Sequence, residues 1–204
     1  MKNISERFSC YEEMRKIGLN TEFNIKLNKL RDKCIKRGEF EDIIKINSEN
    51  KKVKKVLIKL FKNSLNLKYN LKLWTRVLMQ YGDLFIYFSI DKKKGVESFR
   101  TLPLEEIHRE EGYEGKPDAV RFKWETTGDY FEEWQIAHFR TVESIGTLPY
   151  GKSIFNSKGE LKGEENPMIE DVKEALTIEL ERIANVHLYF LGYKEDIGNF
   201  SIKL

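Results

Sequence analysis

The chain has 204 residues, enough for one or two domains with a real hydrophobic core. At 40% hydrophobic and 34% charged residues it reads as a soluble, somewhat over-charged protein, and no apolar run approaches membrane-spanning length. The opening MKNISER lacks the apolar stretch of a signal peptide, and Cys10 and Cys34 show no C-x-x-C spacing, so reduced thiols in a cytoplasmic setting are expected. The formal net charge of +3 hides an asymmetry: residues 1–70 hold 18 basic against 9 acidic residues, net +9, and the remainder is net −6. Such a split suits an oriented interface or a polyanion on one side, although Lys-rich helices often present only a solvated face.

In chain order, Phe23, Leu27, Leu30 and Cys34 recur at helical spacing, which predicts a helix over Thr21–Arg37 stopped by Gly38. Phe40–Asn47 is a short strand candidate. Asn50 is placed to cap a helix over Lys51–Lys62, whose apolar stripe is Val53, Val56, Leu57, Leu60 and Phe61 and whose remaining surface is largely lysine. Asn70 is expected to cap a third helix, with Leu71, Trp74, Val77, Leu78 and Tyr81 on its apolar face and Gly82 at its end.

The period then changes. Leu84–Ile90 is a continuous apolar and aromatic run, hence a largely buried strand; Asp91–Gly95 is a turn; Ser98–Leu102 resumes a strand that Pro103 stops. Val120–Trp124 alternates, Thr126–Asp129 turns, and Tyr130–Phe139 returns as its hairpin partner. Residues 84–140 are therefore expected to form one small antiparallel sheet, with Trp74, Phe85, Tyr87, Phe122, Trp124 and Trp134 in the core. Residues 156–166 are polar and Gly-containing, a linker. Asn166 and Pro167 then mark the start of a long helix, which keeps its period to Leu191 before Gly192, and Asn199–Leu204 reads as a strand. The fold class is α+β: N-terminal helices, an aromatic-rich antiparallel sheet and a long C-terminal helix.

Chemistry-bearing residues are sparse. His108, His138 and His187 each stand without a metal-ligand partner at helical spacing, and a hydrogen-bonded structural role suits His138. Glu105, Glu106, Glu110 and Glu111 face no nucleophile and read as a solvated loop. Residues 146–153, GTLPYGKS, fit the phosphate-cradling pattern G-x-x-x-x-G-K-[ST]. Yet Pro149 has no N–H to offer and Tyr150 crowds the cradle. The helix that should open at Lys152 and Ser153 is broken by Asn156 to Gly159. The sequence calls for no catalytic residue, cofactor or metal.

Several segments, in order, resemble the portal vertex protein of contractile-tailed, T-even-like bacteriophages. They are Trp74–Tyr87 (WTRVLMQYGDLFIY), Leu102–Gly112, Val120–Trp124, Gln135–Arg140 (QIAHFR), Leu148–Ile154 (LPYGKSI) and Glu179–Tyr193, followed by Asn199–Leu204. The motif positions carried over are Trp74, Tyr81, Gly82, Asp83, His138, Arg140, Pro149, Tyr150, Gly151 and Ser153, all structural. The resemblance implies a non-enzymatic ring subunit of the virion, present in the host cytoplasm during assembly. Its implied partners are copies of itself, terminase, capsid and neck proteins, and double-stranded DNA. It departs from the family after Ser153, where a long helix and the stem and clip regions are expected, and the chain stops where the family continues. A shortened portal is the expectation, with a wing-like α+β domain over 1–155, a linker over 156–166, and a helix and strand over 167–204. The alternatives are a small basic nucleic-acid-binding module and, against the context just described, a P-loop-like NTPase.

Overall fold

The computed structural model describes residues 2–141 and 149–204, with side chains described from Arg7 onward. Its helices are α1 Lys2–Ile17, α2 Thr21–Cys34, α3 Phe40–Ile43, α4 Lys51–Lys59, α5 Leu67–Tyr81 and α6 Glu165–Phe190. The strands are β1 Lys45–Asn47, β2 Asp83–Asp91, β3 Gly95–Leu102, β4 Ile107–Glu111, β5 Val120–Trp124, β6 Tyr130–Glu132, β7 Ile136–Arg140 and β8 Ser201–Lys203. This is an α+β fold whose long C-terminal helix is α6. Among the described residues no helix is long and apolar enough to cross a membrane.

Three antiparallel sheets form: a central one ordered β3-β2-β7, an outer one ordered β4-β5-β6, and the pair β1-β8. The expected single sheet over 84–140 is thus two. The chain crosses between them at the 3₁₀ turn Glu133–Gln135, where Glu132 and Gln135 make a reciprocal capping box. Aromatic and apolar residues flank this corner with no Gly or Pro between them, which is why Tyr130–Phe139 reads as one strand.

Strand β2 explains its own composition. Leu84, Ile86 and Phe88 face the helices in one large cluster, while Phe85 faces a second cluster with Leu102, Ile107, Phe122 and Ile136. A strand covered on both faces has no polar side to show. The molecule is layered accordingly, with helices on one side of the central sheet and the outer sheet on the other.

Several boundaries move for physical reasons. Helix α2 ends at Cys34, not Arg37, because Ile35 turns extended and buries its side chain. Gly38 instead leaves room for Asp42, whose carboxylate accepts the Glu39 N–H (2.9 Å) at the head of α3. Asn50 caps α4 as expected, its side chain accepting from the Lys52 and Val53 N–H groups. The helix then widens into a π turn, Leu60–Ser64, which sends Leu60, Phe61 and Leu65 inward together. Helix α5 begins at Leu67 behind a left-handed Asn66 (φ 44°), and Asn70 donates to the Leu65 and Asn66 carbonyls rather than capping. Strand β4, expected as a solvated loop, pairs with β5 through the register Glu110↔Arg121. In the core, Trp74, Phe85 and Phe122 are buried. Tyr87 and Trp124 are half-buried, and Trp134 is 42% exposed on the corner turn.

Candidate functional site

The residues that carry the resemblance meet at the start of β2. Gly82 closes α5 in the left-handed region (φ +84°), its N–H donating to the Leu78 carbonyl at 2.7 Å. This delivers Asp83 into the interior, where it is wholly buried. Its Oδ2 accepts the Tyr11 hydroxyl at 2.6 Å, and its Oδ1 accepts His138 Nε2 at 2.7 Å and the Gly151 N–H at 2.8 Å. One carboxylate therefore ties together α1, β2, β7 and the Pro149–Ser153 turn.

The protonation states follow from burial. The His138 ring stacks on Phe85 at 4.2 Å, and burial drives it down to about 4, outweighing the pull of Asp83. The imidazole is neutral, with the Nε2 proton directed at Asp83; its buried Nδ1 has no hydrogen-bond partner among the described residues. Burial first, then the charge of Asp83, pushes the Tyr11 hydroxyl well above the usual phenol range, so it stays a donor. A carboxylate meeting three donors in a dry site makes strong, short bonds.

Backbone contacts lock the same place. The Thr141 N–H donates to the Gly82 carbonyl (2.9 Å), and its hydroxyl donates to the Lys152 carbonyl (2.5 Å). A Cβ on Gly151 would lie 2.0 Å from the Gly82 oxygen, and a Cβ on Gly82 would lie 2.2 Å from the Lys152 carbonyl carbon. Both glycines are required by this close approach. Around them, the Tyr150 hydroxyl accepts the Arg109 N–H (2.8 Å), and the Arg7 guanidinium lies 3.9 Å over the Tyr150 ring. Arg140 donates to the Pro149 carbonyl (3.4 Å), and Tyr81 meets Tyr11 edge-on. The Ser153 hydroxyl accepts the Phe155 N–H (3.0 Å) and donates to the Met79 carbonyl (3.4 Å). Trp74 stands apart, packed between Phe99 and Phe139.

Nine of the ten motif positions thus surround one clasp. Sequence reasoning missed Tyr11, Arg7 and Thr141. The signal for the first two was available: Arg7, Tyr11 and Met14 fall at helical spacing and are the buried positions of α1 among its described side chains.

The arrangement holds position. Asp83 and His138 are sealed from solvent. Gly146, Thr147 and Leu148 of the phosphate-loop pattern lie outside the described residues. At its other end the Gly151 N–H, which a phosphate would need, is given to a carboxylate that would repel one. Residues after Ser153 form a bridge, Phe155 to Leu161, and helix resumes only at Glu165. Among the described residues no group of three or more His, Cys, Asp or Glu side chains is placed to hold a metal. The other histidines lie elsewhere. His187 Nδ1 accepts the Val96 N–H (3.0 Å) on the far side of the central sheet, and burial takes it to about 4. His108 packs edge-on against Phe8, with its pKa lowered by burial. Compared with known proteins, the chain matches no family model and no curated protein.

Proposed function

We propose that the chain is a portal-type structural subunit that acts by associating with copies of itself, not by catalysis. One observation carries the reading: Tyr81–Asp83, His138–Arg140 and Pro149–Ser153, three separated segments of the resemblance, converge on a buried clasp. Its three donors are spent on one carboxylate, so the motif serves architecture and leaves nothing aimed at a substrate. On this reading the clasp fixes a wing-like sheet to its helices, and the partners are neighbouring copies, terminase, capsid and neck proteins, and packaged duplex DNA. The place of action is the virion, and the host cytoplasm during assembly.

A nucleic-acid-binding module is the second reading, favoured by the five exposed lysines of α4. Covalent cross-linking at high protein concentration, followed by mass measurement, separates the two. A ladder of homo-oligomers supports the subunit reading. A strict monomer that binds duplex DNA overturns it.

A further inference from the structure

The charge asymmetry of the sequence becomes a spatial one in the fold. Residues 105–133, which hold the whole outer sheet, contain 10 acidic and 4 basic residues, net −6, equal to the entire negative balance of residues 71–204. Helix α4 holds Lys51, Lys52, Lys54, Lys55 and Lys59, all exposed, and no acidic residue. The buried Val53 and Leu57 of α4 belong to the cluster on the helix side of β2, whereas the outer sheet packs against Phe85 on the opposite side. The two poles therefore face away from each other within one molecule.

Neither pole is neutralised locally. Lys62, Lys68 and Lys72, just beyond α4, pair with Glu41, Glu39 and Asp32. The five lysines of α4 itself have no ion pair among the described residues. On the outer sheet Arg121, Arg109 and Lys123 match Glu110, Glu111 and Glu125. Glu114, Asp118, Asp129 and Glu133 are exposed and likewise have no ion pair among the described residues.

We infer that the lysine face of α4 in one copy docks on the acidic outer sheet of the next, a heterologous head-to-tail contact that rests on the subunit reading above. Opposite poles on opposite faces cannot meet within one copy but meet between copies, and such a contact repeats into a ring or an open stack. Each surface pair is weak and screened by salt, so the contact is recruited by number and lost at high ionic strength.

Sedimentation equilibrium tests this with two variants: Lys51→Glu/Lys52→Glu/Lys55→Glu and Glu114→Lys/Asp118→Lys/Asp129→Lys. All six positions are exposed, and urea unfolding of each variant checks the fold. Acidic residues in the first turn of α4 also suit the helix dipole. For the wild type, the self-dissociation constant is expected to rise at least ~10-fold between about 50 mM and about 500 mM salt. Each triple variant should weaken association at least ~10-fold at low salt, since the lysine changes take α4 to a net negative charge and the acidic changes bring the outer sheet to neutrality. Association that ignores both triple variants overturns the docking surfaces and leaves the subunit reading standing. A wild type monomeric in every condition removes both. Duplex DNA bound through α4, with self-association untouched by the lysine changes, assigns that face to nucleic acid and overturns the inference.

Discussion

Replacing Gly82 with Ala, beside the same change at Gly192, isolates the clasp. Both glycines have φ +84° and both follow a helix. An L-residue in that region costs about 1–2 kcal/mol, and this is the whole expected effect at Gly192, where an added Cβ meets nothing within 4 Å. At Gly82 the same Cβ would stand 2.2–2.5 Å from the C, N and Cα atoms of Lys152. Those are backbone atoms held by the Thr141 bonds to both sides, so relief means prising the turn off β2. Doing so stretches the Gly151 N–H bond to a buried carboxylate, and a weakened charged hydrogen bond adds about 1.5–3 kcal/mol. The expected losses are about 1–2 kcal/mol for Gly192→Ala and at least ~3 kcal/mol for Gly82→Ala, read from urea midpoints at unchanged m-value. Equal losses, within about 0.5 kcal/mol, would refute the claim that the turn is clamped there.

Acid should destabilise the fold through its buried histidines, beginning near pH 6.5. His138 and His187 are held near 4 by burial against an ordinary 6.5, so the unfolded chain takes up two protons that the folded one refuses in that window. Stability is fully present above pH 6.5 and falls as pH drops to about 4, by at most about 3 kcal/mol per histidine. His187→Gln, which keeps an acceptor for Val96, should flatten the urea-midpoint profile by its share; an unchanged profile would contradict the assignment. Phe122→Ala should cost about 3–5 kcal/mol, whereas Trp124→Ala, at a half-buried site where the indole N–H donates to Glu106, should cost about 1–2 kcal/mol. Phe122 and Trp124 share one face of β5, so the reverse order would contradict the deeper burial of Phe122 on it. ATP and GTP should not bind at residues 151–153; micromolar affinity in calorimetry, abolished by Lys152→Ala, would overturn the reading of that turn.

Local signals were legible where one residue decides one turn. Asn50 caps α4, Gly82 ends α5, and the change of period at Leu84 marks β2. What stayed hidden depended on partners far along the chain. Strand β4 was masked because His108 to Glu111 are polar and charged, and only pairing with Arg121 and Lys123 makes them a strand. The corner at Trp134 was masked because no Gly or Pro marks a turn between Tyr130 and Phe139. Asp83, His138 and Gly151 were visible as motif residues, but Tyr11 lies 72 positions from its acceptor, and periodicity carries no such distance. His138 was read as structural from its isolation, and its bond to Asp83 gives that role a partner.

Light scattering across protein concentration, at low and at high ionic strength, tests the central claim most directly. The account predicts a mainly monomeric 24.2 kDa species at low micromolar concentration, because the proposed contact is made of surface charge pairs that are each weak. Mass should grow with concentration at low salt and return to the monomer at high salt. A closed ring that survives high salt would contradict the view that self-association is held by charge alone. A monomer in every condition would contradict the subunit reading itself.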